Sequence, residues 1–358
     1  MLVMVQFKRF LAHAARGKGI VSEGEGGQFE SHEHSPGDCK RRYRTATPKQ
    51  LWARGGCVKS HASARAYRNA WTPNVMTPTR DAEHSTDGLS ECGAIARRFD
   101  PDRFLCALFV PAPAREAAMT LVAFNHECVR ALSTPASWAV AGPIAGMIRL
   151  QWWRDVIDGG DPQRHPVAIA LVDLLACGAV RADTVRGIVD ARECELDGLP
   201  DWPAWRANMR AGAGGVQRAM AEVLDPRDDV ACDAVAELGA VYGAGALARH
   251  LGAVLRSGRC PLPDVALDAV GLERDGLRDG AATAGQRAAL HALLRAEGAA
   301  FHARALTIAP RLPRTVLPAA LPAVLGRRDL RADGEDDGGA RGIGDRLAVM
   351  VAMARGRV

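Results

Sequence analysis

Residues Met147-Ile-Arg-Leu-Gln-Trp-Trp-Arg-Asp155 set two adjacent tryptophans beside Arg149, Arg154 and Asp155. Neighbouring residues on a helix point ~100° apart, so Trp152 and Trp153 cannot share a direction. One packs into a core with Leu150 or Val156, and the other edges a cavity or covers the adjacent helix. Such a segment requires helical neighbours on more than one side. Helical signals do continue along the chain. Pro113 suits a first-turn position, and Leu121, Phe124, Cys128 and Leu132 recur at helical spacing before Pro135. The next helix is predicted from about Pro143 to Ile157, stopping at Gly159-Gly160. Further helices are predicted at 165–178, 183–197, 202–224, 231–256, 284–308 and 315–330, with a short one near 343–354. No alternating run bounded by turn residues suggests a sheet, and the fold expected is all-α.

The chain divides by composition. Its 358 residues carry a net charge of +5, which at first suggests nucleic acid. Residues 1–75, however, hold 13 Lys and Arg against 5 Asp and Glu, whereas the remainder holds 33 against 36. All five lysines (Lys8, Lys18, Lys40, Lys49, Lys59) lie in that first segment. The body is therefore slightly acidic, and nucleic acid is not an expected partner. Residues 1–75 read as a disordered extension. Three origins compete: an upstream start with Met76 as the true one, a targeting arm resembling an organellar presequence over residues 1–22, and a basic tail for an acidic surface. Residues 76–93 read as a linker and 94–330 as the folded domain. Residues 331–358 read as a charged linker followed by a short helix.

Nine scattered cysteines form no CxxC pair, as in a reduced, cytosolic-type protein. His32, His34 and Cys39, with Cys57 and His61, match no compact zinc module. No run approaches the ~18 apolar residues of a membrane span. The expected location is cytoplasmic or membrane-peripheral, with organellar import if the first segment acts as a presequence.

Several pieces then occur in order: Asp102-Arg-Phe-Leu-Cys-Ala-Leu-Phe-Val-Pro111, Leu121-Val-Ala-Phe-Asn125, Ile148-Arg-Leu-Gln-Trp-Trp-Arg-Asp155, His165-Pro-Val167, Asp190-Ala-Arg-Glu193, Tyr242-Gly243 and Arg259-Cys-Pro-Leu-Pro263. Together they resemble the squalene and phytoene synthase family across roughly residues 94–330. The resemblance implies a single isoprenoid-synthase-like bundle around a deep apolar cavity. Active members condense two allylic diphosphates head to head, using two DxxxD motifs that hold magnesium. On a helix, residues i and i+4 share a face, so each motif presents two carboxylates to one metal cluster. Here the positions matching the first motif read Val129, Arg130 and Ser133, and those matching the second read His250 and Val254. No acid occurs between Glu237 and Asp264.

The candidate residues follow from that comparison. Arg130, Arg149, Arg154 and Arg249 are candidates for diphosphate, Arg249 because it matches an arginine beside the family's second motif. Glu127, Asp190 and Glu193 are candidate displaced metal ligands. Against this, Glu127 has Arg130 within ion-pair reach, Arg154 has Asp158 at i+4, and Arg186 and Arg192 are available to the stripe Asp190, Glu193 and Asp197. Phe124, Trp152, Trp153 and Tyr242 are candidate cavity residues. His126 and His250 read as structural histidines, and Gly212-Ala-Gly-Gly215 as a close-packing site inside a helix. The reading favoured is a non-catalytic scaffold, resembling the branch of the family that includes complex I assembly factors and lacks the aspartate motifs. It implies no cofactor and a protein partner, with an isoprenoid diphosphate or lipid in the cavity and peripheral membrane contact. The alternative is an active prenyl-diphosphate transferase of phytoene or squalene synthase type that uses displaced carboxylates and magnesium.

Overall fold

One proline and two caps set the entry to the bundle. The computed structural model describes residues 88–132, 143–256, 259–274, 282–332 and 340–358. The basic segment 1–75, with its presequence, alternative-start and zinc readings, lies outside the described residues, as does Ser133. Helix α1 (Glu91–Phe99) begins where the Ser90 hydroxyl accepts from Gly93 N–H at 2.9 Å, inside the predicted linker. It ends at Asp100, whose carboxylate accepts from Arg103 N–H at 3.0 Å and so caps α2 (Pro101–Ala107), with Pro101 in the first turn. One residue thus closes one helix and opens the next.

Helix α3 (Ala112–Leu132) buries Leu121, Phe124, Cys128 and Leu132, the face expected from their spacing. Helix α4 (Pro143–Ile157) buries Leu150, Trp153 and Val156. They are followed by α5 (Pro166–Ala176), capped by His165, and α6 (Ala182–Asp197). Helix α3 packs against α1, α4 and α5.

Three long predicted helices are broken. The segment predicted at 202–224 is α7 (Trp202–Ala211) and α8 (Ala213–Leu224), divided at Gly212. A Cβ at Gly212 would lie 3.1 Å from Asn208 O and 3.3 Å from Ala191 Cβ, so the turn needs the room glycine leaves. The segment predicted at 231–256 is α9 (Asp229–Arg249) and α10 (Leu251–Arg256), with His250 leaving helical geometry between them. After the short α11 (Asp264–Asp268) comes α12 (Ala284–Ile308), opened by a capping box of Thr283 and Gln286. The segment predicted at 315–330 is α13 (Leu317–Ala320) and α14 (Pro322–Arg331), separated at Leu321 because Pro322 lacks the N–H that continuation requires. Helix α14 reaches Arg331, one residue into the predicted linker, and buries Leu325, Asp329 and Leu330. Helix α15 (Ile343–Arg355) ends the chain. Among the described residues the only strand-like pairing is an isolated bridge between Leu199 and Pro263.

Helix α9 is the axis of the bundle, packed by α8, α12 and α14. Glycine lets its neighbours approach. A Cβ on Gly245 would lie 2.3 Å from Gly326 O in α14, and one on Gly214 of α8 would lie 2.5 Å from Ala236 O in α9. Contrary to the sequence expectation, α9 does have the length and apolar composition of a membrane span. Within its most apolar window 72% is buried inside the protein, which accounts for that composition as core packing.

Candidate functional site

The helices enclose a cavity of about 710 Å³, and its walls are more charged than an apolar bundle interior would suggest. The α1–α2 junction contributes Arg97, Phe99, Asp100, Asp102 and Arg103. Helix α3 adds Asn125, His126 and Val129, and α6 adds Arg192 and Glu195. Asn208 comes from α7, Tyr242 and Arg249 from α9, and Arg259, Arg341 and Arg346 from later segments. Seven arginines therefore face three carboxylates.

Each carboxylate is already held. Asp100 lies 2.8 Å from Arg103 Nη1, and the Arg103 guanidinium sits 4.5 Å over the Tyr242 ring. Burial, reinforced by Asp100 and Asp102, keeps the Tyr242 hydroxyl well above its usual range, so it remains protonated. Its O–H reaches Asp100 at 3.4 Å and Asp102 at 3.5 Å. Asp102 accepts from Arg341 Nη2 at 2.6 Å, and Arg341 also donates to Asp329 at 2.7 Å. Asp329 lies 3.4 Å from Arg249 as well. Burial alone would lower the Arg341 guanidinium, but the hydrogen bonds it donates to Asp329 and Asp102 outweigh that and hold the cation firmly protonated.

At the other end Glu195 serves two arginines, Arg259 at 2.7 Å and Arg192 at 3.3 Å. Two half-buried guanidinium groups share one carboxylate, which leaves an excess of positive charge. Burial pushes Arg192 down, with Arg259 adding repulsion against the attraction of Glu195. Arg192 Nη2 donates to Asn125 Oδ1 at 3.0 Å, but its Nε has no partner among the described residues. Asn208 Oδ1 and His126 Nε2, which line the same cavity, are unpartnered too. His126 stacks on Phe99 with ring centroids 4.0 Å apart, and burial lowers its pKa. Three residues on this wall thus each carry a buried polar atom without a partner among the described residues, which native interiors seldom leave unexplained.

The residues singled out from sequence divide into two groups. Of the positions that the sequence resemblance matches to the aspartate motifs, Val129, His250 and Val254 line this cavity, together with Arg249 and Tyr242, whereas Arg130 does not. The others lie elsewhere. Arg130 is exposed, 3.4 Å from Glu127, which also lies 3.8 Å from His165. Arg149 is exposed on α4. Arg154 is held by Asp190, at 2.7 Å, and by Glu193 instead of Asp158, which pairs with Arg186. Arg192 turns to Glu195 and away from the Asp190 stripe. Phe124 and Trp153 pack edge to face at 5.0 Å within the core, and Trp152 packs on Trp153 and His165. Those three aromatics brace α3, α4 and α5 and do not line the cavity, because their rings are taken up by packing on one another and on the core.

The donor set does not suit magnesium. A hard divalent cation needs carboxylates free to turn toward it, and Asp100, Asp102 and Glu195 are each neutralised by arginine. Among the described residues no three His, Cys, Asp or Glu side chains are grouped to hold a metal. Among the residues missed from sequence, Asp100 comes from a helix junction and Arg341 from a Gly-rich stretch, where no periodicity advertises a role, whereas Glu195 and Asn208 are polar positions inside α6 and α7 whose burial only tertiary packing decides. Asp102 and Arg259 stood within the resembling pieces without an assigned task.

The family description Squalene/phytoene synthase matches residues 96–337. The chain belongs to the squalene/phytoene synthase family. Solved structures agree on the fold of this family member. A dehydrosqualene synthase in complex with ligand superposes with a TM-score of 0.57 at 15% identity, covering 74% of this chain and 94% of that one. The squalene synthase HpnC from Alicyclobacillus acidocaldarius gives 0.52 at 18% identity, covering 67% and 90%. In sequence, this family member is 30% identical over 166 residues to the NADH dehydrogenase (ubiquinone) complex I assembly factor 6 of Bos taurus, covering 45% of this chain and 44% of that protein. The Homo sapiens protein of the same name is 29% identical over 109 residues, 30% of this chain and 31% of its own. The matched stretch thus spans less than half the length of these relatives.

Proposed function

We propose that this chain is a non-catalytic member of its family that uses the bundle to bind an anionic amphiphile and to support a protein partner. The observation that carries this reading is the pairing of every cavity carboxylate with arginine; the absence of acids at Val129, His250 and Val254, which the sequence resemblance matches to the aspartate motifs, supports it. Head-to-head condensation requires the diphosphate to leave as its charge is neutralised, with the resulting cation kept from water. Arginines held in a fixed lattice bind an anion in its ground state and in the transition state alike, which gives affinity without rate. The ligand class is an isoprenoid diphosphate or an anionic lipid. Its head would meet Arg192 and Arg259, and its tail would run along Leu105, Leu247 and Val254. Likeness to proteins named as complex I assembly factors supports the scaffold role.

The test uses the full chain. Pyrophosphate release from farnesyl and geranylgeranyl diphosphate with magnesium is expected to be absent, and extraction should yield no C30 or C40 hydrocarbon. Binding of farnesyl thiolodiphosphate, a non-hydrolysable analogue, is expected to survive a chelator. It should weaken about tenfold in R259Q, through loss of a charge-assisted contact, and stay unchanged in R154A. A coupled hydrocarbon product would establish the transferase reading in its place.

A further inference from the structure

Helix α15 carries an apolar face that the bundle does not cover. Of the twelve large apolar side chains exposed among the described residues, Ile343, Leu347, Met350 and Val351 belong to this one helix, and Ile343 is 79% exposed. Their spacing of i, i+4, i+7 and i+8 puts them on a single stripe. The opposite face is anchored, since Val349 and Ala352 are buried in a cluster with Tyr242 and Leu325. The stripe therefore points outward in a docked helix.

Its flanks are cationic. At ~100° per residue, exposed Arg346 and Arg355 fall on either side of the stripe. The helix has one acid, Asp345, and this is turned inward to Arg328 at 2.6 Å and Arg341 at 3.8 Å. Arg346 also lines the cavity, as do exposed Phe99, Leu108 and Arg97. Exposed residues on a cavity wall mark its mouth, so the mouth opens beside the stripe.

We infer that α15 and this mouth form a docking surface for an anionic lipid bilayer. An apolar stripe edged with arginine matches a helix lying in the headgroup plane, where the stripe enters the acyl boundary and the guanidinium groups meet phosphate. A second copy of the chain fits poorly, because each copy would bring arginines and no outward acid from this helix. The chain's own first 75 residues fit poorly too, for with 13 basic against 5 acidic residues they would be repelled. The docking surface does not depend on what the cavity holds.

Co-sedimentation of the full chain with phosphatidylcholine vesicles, with and without phosphatidylglycerol, tests the inference. The expected result is pelleting with the anionic vesicles, about tenfold weaker in each of L347E and M350E and unchanged in I148E, whose residue is exposed on α4. A further variant, L347W, should show blue-shifted emission and quenching by brominated anionic lipid. Binding that ignores L347E and M350E would assign attachment to the basic first segment and overturn the inference. So would absence of binding to either vesicle, an unquenched L347W, or a dimer in sedimentation equilibrium that L347E dissolves.

Discussion

Arg341 Nη2 donates to Asp102 Oδ2 at 2.6 Å, joining residues 239 positions apart in the chain. The same guanidinium holds Asp329, and all three side chains are largely buried, so the contact ties the C-terminal segment to α2 and α14. Removing one partner of a buried ion pair leaves an uncompensated charge, which costs far more than the pair contributes. R341A should therefore lose about 3–5 kcal/mol in urea unfolding, and D102N/D329N in that background should restore part of the loss. A change below about 1 kcal/mol, the scale of an exposed pair, would show that the bridge is solvated.

Glu195 offers a test in which stability and binding move in opposite directions. It neutralises Arg192 and Arg259 at the cavity wall, and its side chain is 2% exposed. In E195Q two half-buried guanidinium groups lose their shared counter-charge, so the melting temperature in anion-free buffer should fall. Inorganic pyrophosphate should then stabilise E195Q more than the wild-type chain, because an added anion restores the missing charge. Differential scanning fluorimetry with and without pyrophosphate reads both effects, and equal stabilisation of the two proteins would remove this end of the cavity as an anion site.

The two kinds of information in the sequence were unequally legible. Periodicity exposed the buried face of α3 and the all-α class, because Leu121, Phe124, Cys128 and Leu132 obey a local 3.6-residue rule. The breaks at Gly212 and His250 were not legible, since apolar spacing runs on through both and only packing decides where a helix divides. Motif comparison found the positions facing the cavity, Val129, His250 and Val254. It misplaced the charged groups, because an arginine's partner depends on tertiary distance: Arg154 reaches α6 instead of Asp158 at i+4. Arg341 was out of reach, being fixed by residues from two distant helices.

Glycines within helices give a pair of contrasting substitutions. At Gly245 a Cβ would lie 2.3 Å from Gly326 O and 2.4 Å from its Cα, both backbone atoms that cannot step aside. G245A should cost about 1–3 kcal/mol or more through overpacking between α9 and α14. Gly187 lies inside α6 with nothing within 4 Å of an added Cβ. G187A should stabilise the protein by about 0.5–1 kcal/mol, since alanine surrenders less backbone entropy. Chemical denaturation of both variants checks the signs, and a neutral G245A would mean that the α9–α14 crossing is looser than described.

Three histidines set the response to acid. Burial lowers the pKa of His126, His250 and His302 below the ordinary value of 6.5, with Arg249 adding to the effect at His250 and Arg327 at His302. Each ring is neutral in the folded state where the unfolded chain has begun to take up protons. Stability from this source is therefore complete above pH 6.5, and it is lost as pH falls from there toward the folded-state values. Urea unfolding on either side of pH 6.5 should show the decline. H126Q should make the decline shallower, because glutamine keeps a polar group beside Phe99 without a titrating proton. If H126Q and H250Q each followed the wild-type pH profile, the rings would be solvated enough to protonate in place, and the acid response would have to come from the carboxylates.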